Sequence, residues 1–331
     1  MRGQGASIRT FTKQQGLTPP RSSIELKALL HTSIASGRIT EADVMAFFLE
    51  RTMFCNKRVY VLKQPLRNPA SLGAEGWTAG NVLSPHVGSK ARRPPTSGKL
   101  PGVYAGKFEV SRGKPVHVFV TSRTVEEAEE LPEDDLTPEA RSRHAGKRFT
   151  WEKDVSIQCF DLVVEVRGKW LLLVDSRPRI DLAILKADIS NYRFKLNPDE
   201  SAFVDLWDAV GKIYSTKTEG AISYLKFMSN ERSNHMGSLG KSGLIKDFRK
   251  LPYHKKGSTA GSVDPYAIGV SWRLREEDEE SFAALPGTTR HLLRQRSATG
   301  TLFPPLEHFD TPRPMTRAAF EHAATRVLAH T

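Results

Sequence analysis

The chain has 331 residues and a formal net charge of +12, and its 39% hydrophobic and 26% charged residues are typical of a soluble globular protein. Its aliphatic runs are short, as in Leu171 to Val174, and its first residues lack an apolar core, so we expect neither a transmembrane helix nor a secretory signal. Cys55 and Cys159 alone exclude a disulfide framework and a cysteine-based zinc site, so a reducing, cytoplasmic location is expected.

The net charge understates how basic most of the chain is. Segment 125–135 holds seven acidic residues and segment 276–280 holds five, which leaves 25 of the 37 acidic residues against 49 lysines and arginines. Such an excess favours a polyanionic partner, because each phosphate that is neutralised releases condensed counterions. We therefore expect DNA or RNA as a partner and no membrane, with a merely solvated basic surface as the alternative.

The N-terminal part of the chain predicts a basic arm followed by helices. Residues 1–21 carry four basic residues and no acidic one, which indicates a flexible arm. Residues 22–64 predict a helical hairpin and a short strand, with Gly37 ending the first helix and Thr40 and Asp43 starting the second. A DNA-reading helix-turn-helix fits this spacing, but the aromatic bulk of the second helix favours an ordinary hairpin.

Beyond residue 64 the chain divides into three further regions. Residues 65–106 contain six prolines and seven glycines, which predicts a linker or a long loop. Residues 107–275 predict a core of β-hairpins, two helices (after Asp181 and from Asn197) and strands near 220–228 and 268–274. Residues 276–331 combine an acidic patch, a basic segment and a C-terminal helix. The fold class is therefore α+β, with a mixed or antiparallel sheet built from hairpins, packed by helices, and an N-terminal helical hairpin.

The hairpin formed by residues 154–166 and 169–175 carries the first candidate site. A three-residue turn, 167–169, places all the apolar even positions on one core face and sets Asp161 directly across from Asp175. Two facing carboxylates repel each other, so we expect a positive group between them. A divalent metal is one candidate, and a salt-bridge network through Arg177 is the alternative.

With Asp161 as the first acid and Asp175, Ser176 and Arg177 in place of (D/E)-x-K, this layout is similar to the core of PD-(D/E)xK nucleases. The resemblance covers about 25 of the 331 residues and implies that Asp161 and Asp175 hold Mg²⁺ while the third residue helps to activate water. Arg177 departs from the pattern, because an arginine does not give up its proton. On this hypothesis Asp161, Asp175 and Arg177 are catalytic, and Mg²⁺ is required only here.

The basic segment, Arg232 to Gly257, is the second candidate site. It holds seven lysines and arginines against the single acid Asp247, and its glycines allow the backbone to approach a phosphate closely. The predicted nucleic-acid-binding residues are Lys241, Ser242, Lys246, Arg249, Lys250, Lys255 and Lys256. The alternative is a solvated mobile loop.

The sequence thus favours a protein that binds nucleic acid without sequence preference, and metal-dependent nuclease-like activity is an extension of that hypothesis. Whether the chain is an enzyme stays open. The competing hypothesis is a non-enzymatic adaptor whose basic face binds an acidic protein partner.

Overall fold

The computed structural model describes residues 4–20, 22–64, 66, 102–108, 115–130, 136–143, 149–177, 180–196, 203–229, 233–239, 247–252, 254, 263–274, 279–288, 291 and 304–331. Within these ranges, every helix is too short or too polar to cross a lipid bilayer.

The described residues form ten strands of one sheet. They are β1 (Lys57–Val61), β2 (Val103–Phe108), β3 (Val116–Glu130), β4 (Thr150–Val166), β5 (Lys169–Asp175), β6 (Ala221–Ser229), β7 (Asn234–Ser238), β8 (Val263–Leu274), β9 (Glu279–Leu285) and β10 (His308–Thr311). Their order across the sheet is β2-β3-β4-β5-β1-β10-β9-β8-β6-β7, and each neighbouring pair is antiparallel. The α+β class with an antiparallel sheet is therefore confirmed.

Helices pack against both faces of the sheet, and the described residues form seven of them. They are α1 (Gln4–Gln14), α2 (Ser23–Ala35), α3 (Glu41–Met53), α4 (Pro138–Arg143), α5 (Leu182–Leu196), α6 (Trp207–Ser215) and α7 (Arg317–Leu328), with a 3₁₀ turn at Phe248–Lys250. Thr40 and Asp43 form the capping box that begins α3, and Gly37, at φ +68°, follows the end of α2. The packing of α2 and α3 as a hairpin stays a prediction.

Three stretches differ from what the sequence predicts. In the predicted flexible arm, α1 forms and buries Phe11 against Phe47, with ring centroids 4.7 Å apart. In the predicted linker, β2 already begins at Val103. The helix predicted from Asn197 begins instead at Trp207. Phe203 pairs with Leu62, just after the end of β1, and its side chain is buried on the opposite side of the sheet from α6. Phe203 therefore does not belong to this helix.

Both faces of the central strands are buried. The first face, which α6 and α7 cover, is lined by Val59, Leu162, Leu171, Leu173, Val270 and Phe309. The second face carries a separate core with Tyr60, Phe119, Val163, Leu172, Val174 and Tyr192 of α5. Such double burial explains why Leu171 to Val174 is an unbroken apolar run and not an alternating pattern.

The register of the β4–β5 hairpin differs from the predicted one. Leu162 pairs with Leu173 and Val166 with Lys169, so the turn has only two residues, Arg167 and Gly168. Both have positive φ (49° and 77°), as the commonest two-residue hairpin turn requires. The predicted three-residue turn is wrong, because it assumed a single buried face and both faces are buried.

Candidate functional site

The two carboxylates of the first candidate site point to opposite faces of the sheet. Asp161 pairs with Phe119 of β3 and lies on the second face. Asp175 pairs with Lys57 of β1 and lies on the first face. The predicted direct opposition of the two side chains is therefore not found, although the backbone N–H of Asp175 donates to Oδ1 of Asp161 over 2.8 Å.

Asp161 is fully buried, and donors saturate both of its oxygens. Arg123 of β3 donates from its two terminal nitrogens to Oδ1 and Oδ2 over 2.9 and 2.6 Å. The Tyr192 hydroxyl donates to Oδ2 over 2.9 Å, and the Asp175 N–H completes the set at Oδ1. A carboxylate offers about four acceptor positions. All of them are used here, so this geometry does not favour a metal ligand at Asp161.

Arg123 ties this carboxylate to helix α5. Its Nε donates to Oδ2 of Asp188 over 2.9 Å, and one terminal nitrogen reaches the Asp175 carbonyl oxygen at 3.4 Å. Burial alone would lower the pKa of Arg123, but the charge and hydrogen bonds of Asp161 and the other neighbouring groups together raise that pKa above its ordinary value. The guanidinium therefore stays charged in the interior.

Asp175 has its own cations on the first face. Lys57 Nζ lies 3.4 Å from Oδ2, and Arg177 Nε donates to Oδ1 over 3.0 Å. Burial would raise the pKa of Asp175, but the positive charges of Lys57 and Arg177 outweigh it and hold that pKa below its ordinary value. Arg177 also donates to the Gln158 carbonyl oxygen and to Cys159 Sγ.

These groups form what we call the buried charge network. It consists of the carboxylates of Asp161, Asp175 and Asp188 and the cations of Lys57, Arg123 and Arg177. Three negative and three positive charges balance, so ion pairing supplies the positive charge that the sequence requires near the two acids. In the part of the chain that the structure describes, no group of three or more His, Cys, Asp or Glu side chains could hold a metal ion. The catalytic role of Asp161, Asp175 and Arg177 stays a prediction.

The partners of the two acids, Arg123 and Lys57, lie far from them in the sequence. Arg123 lies 38 positions from Asp161, and Lys57 lies 118 positions from Asp175. The only available signal was the need for positive charge beside acids in apolar strands. That signal led to Arg177, which is the nearest cation in sequence.

Two of the predicted phosphate-binding residues are described, and they differ in their surroundings. Lys250 is exposed. The Arg249 guanidinium donates to the carbonyl oxygens of Thr216 and Glu219, each over 2.6 Å, and pairs with Asp247 at 2.8 Å. Arg249 therefore braces the loop between α6 and β6. Outside the described residues lie Lys241, Ser242, Lys246, Lys255 and Lys256.

A partly exposed region of the second face combines aromatic and basic side chains. We call it the aromatic–basic face, and it consists of Tyr224, Lys226, Gly269, Ser271, Arg273, Glu280, Phe282 and Arg313. Lys226 Nζ lies 6.0 Å from the Tyr224 ring centroid, and the Arg313 guanidinium covers Phe282 at 4.3 Å. This surface cannot be recognised in the sequence, because its residues come from separate strands.

Gly269 allows the two rings to approach each other. It pairs with Tyr224 across β6 and β8. A Cβ at this position would lie 2.9 Å from Cβ of Tyr224, closer than packed atoms come, and 3.1 Å from the Phe282 ring, which is tighter than most packing contacts. The absence of a side chain at Gly269 thus makes Tyr224 and Phe282 neighbours on one surface.

Comparison with protein-family models, with curated proteins and with solved structures finds no match for this chain.

Proposed function

We propose that this protein binds nucleic acid without sequence preference. The aromatic–basic face is the observation that supports the proposal most directly. Among the described residues of this face, the basic side chains of Lys226, Arg273 and Arg313 outnumber the acidic side chain of Glu280. Positive charge beside an accessible ring, here Tyr224, is typical of surfaces that bind nucleic acid, where the charges meet phosphates and the ring meets a base.

The basic segment adjoins this same surface. It includes strand β7, which pairs with β6 so that Ser238 lies opposite Tyr224 and Met236 opposite Lys226. The segment therefore starts at the edge of the aromatic–basic face.

The proposal includes no catalytic step. The oxygens of Asp161 are saturated by protein donors, and Asp175 points to the other face of the sheet. The buried charge network fits a structural role, in which α5 is joined to the central strands.

Binding is tested by fluorescence anisotropy with labelled single-stranded DNA, duplex DNA and RNA, in EDTA, at low and physiological salt. The charge variant is Lys241→Gln, Lys246→Gln, Lys250→Gln, Lys255→Gln and Lys256→Gln; Arg249 is retained because it braces a loop. Its affinity should fall, and its salt slope on duplex DNA should become shallower by about 0.9 for each phosphate that the variant no longer neutralises.

The control variant has the same change of charge at five exposed lysines elsewhere. It combines Lys13→Gln, Lys27→Gln, Lys63→Gln, Lys169→Gln and Lys186→Gln. This control should bind more tightly than the charge variant. Equal losses of affinity in the two variants, or no wild-type binding to any of the three ligands at physiological salt, would overturn the proposal. The second result would favour the adaptor hypothesis.

A further inference from the structure

The flat groups of the aromatic–basic face indicate which form of nucleic acid it accepts. Tyr224 belongs to β6 and Phe282 to β9, with β8 between them. The Phe282 ring leans over Gly269 of β8 toward Tyr224, since a Cβ at Gly269 would lie 3.1 Å from that ring and 2.9 Å from Cβ of Tyr224. Stacked bases in duplex DNA follow each other at about 3.4 Å, and their flat faces are covered by their neighbours. Only bases that are splayed apart, as in a single strand, can stack at both positions.

Both positions present a flat group to solvent. Tyr224 is partly exposed. Phe282 is only 6% exposed, since its ring packs with other core residues and the guanidinium of Arg313 lies over it. The Arg313 side chain is itself 43% exposed, so part of it is accessible to a base. Bases stack on arginine planes as well as on aromatic rings.

The charges around these two groups suit a polyanion. Lys226 lies beside Tyr224, and Arg273 is exposed on the same face. Glu280 is 3.9 Å from Arg313, but both side chains are largely open to solvent, so this ion pair is weak. A phosphate can therefore compete with Glu280 for Arg313 at little cost.

We infer that the aromatic–basic face binds single-stranded nucleic acid, with one base stacked on Tyr224 and another on the Arg313 guanidinium above Phe282. This inference rests on the proposed function and adds its ligand class. Phosphates of the same strand contact Lys226 and Arg273.

Two variants test the inference without a change of net charge. Tyr224→Leu removes the ring, and Arg313→Lys keeps the positive charge but removes the plane. Because the loss of one base–aromatic stack costs about 1–3 kcal/mol, each variant should weaken binding of oligo(dT) about 5- to 150-fold. Binding of a duplex of the same length should change by less than about twofold, since its bases do not reach the face.

A photocrosslinking experiment reads the contact directly. Wild-type protein is irradiated with an oligonucleotide that contains 5-bromouracil, and the crosslinked peptide is identified by mass spectrometry. Crosslinks at Tyr224 are expected. Crosslinks confined to other parts of the chain would contradict the inference.

The outcomes separate this inference from the proposed function. If Tyr224→Leu and Arg313→Lys bind single strands like wild type while the charge variant is weakened, the inference fails and the proposed function stands. If wild type binds no nucleic acid, both fail. If poly-glutamate competes as well as oligo(dT) at physiological salt, the face is a site for acidic proteins and the inference is overturned. Should Tyr224→Leu fail to fold, Arg313→Lys decides, because its side chain is partly exposed.

Discussion

Arg123→Met removes the cation at the centre of the buried charge network. The Arg123 side chain has no solvent exposure, and it makes four hydrogen bonds that join β3 to β4, β5 and α5. Two of these bonds go to Asp161, which is also fully buried. The methionine fills similar space but leaves the Asp161 carboxylate with only the Tyr192 hydroxyl and the Asp175 N–H as donors.

The expected loss is a large part of the free energy of unfolding. Removing one partner of a buried ion pair typically costs about 3–5 kcal/mol, because the remaining charge stays in the interior without compensation. We place Arg123→Met in the upper half of that range, since Asp188 also loses its bond to Nε. Domains are usually stable by only about 5–15 kcal/mol.

Urea unfolding at pH 7, followed by far-ultraviolet circular dichroism, measures this loss through the shift of the midpoint. Lys212→Met is the control, because Lys212 pairs with Asp208 at 3.9 Å with both side chains more than half exposed. A surface pair of this kind contributes about 0.3–0.5 kcal/mol. A loss below about 1 kcal/mol for Arg123→Met, or one equal to that of the control, would refute the reasoning.

The contacts of Asp175, Arg249 and Cys159 lead to three further predictions. The pKa of Asp175 lies below its ordinary value of 3.8 in the folded protein. The stability that wild type has over Asp175→Asn should therefore be full above pH 3.8 and shrink as the pH falls through the folded pKa. Urea midpoints of both proteins from pH 7 to pH 3 measure this difference, and a constant difference would contradict the prediction. Arg249→Met should destabilise the protein by about 2 kcal/mol or more, whereas Lys250→Met should leave the thermal midpoint unchanged. Burial raises the pKa of Cys159 to about 11. Iodoacetamide at pH 8 should therefore alkylate this thiol about two orders of magnitude more slowly than a free thiol, until urea unfolds the chain. Mass spectrometry of the labelled peptides measures the two rates.

Features set by residues close in sequence were predictable. Thr40 and Asp43 begin α3, and the Thr316 side chain caps α7. Each of these signals acts within a single helical turn, so the sequence contains it completely. The strands at 220–228 and 268–274 were likewise predicted from their own side chains.

The register of the β4–β5 hairpin could not be obtained in this way. The prediction placed the even positions from Phe160 to Val174 on one core face and treated the opposite face as solvent. In the structure α5 supplies a second core through Tyr192, which packs beside Phe119 with ring centroids 5.5 Å apart. Nothing in the hairpin itself reveals that a helix will cover its other side.

The candidate sites show the same distinction between local and assembled features. Arg249 belongs to a basic run that suggests phosphate binding, but its guanidinium is bound to protein carbonyl groups and to Asp247. Tyr224 and Phe282 are 58 positions apart, and only the strand order makes them neighbours. A count of basic residues therefore cannot distinguish arginines that bind protein carbonyl groups from arginines on a binding surface.

Burial also determines which basic side chains are available to a polyanion. Among the described residues, the buried acidic side chains are Asp161, Asp175, Asp188, Glu219, Asp247 and Glu279, and the buried basic ones are Arg51, Lys57, Arg123 and Arg317. This set carries two more acids than bases, so the rest of the chain carries +14 while the whole chain carries +12. Several of these buried acids are ion-paired with arginines that are less buried: Asp175 with Arg177, Asp247 with Arg249 and Glu219 with Arg326. The charges of these arginines are neutralised within the protein, so they do not add to the field that a polyanion meets. Binding therefore depends on basic side chains outside such pairs, such as Lys226 and Lys250.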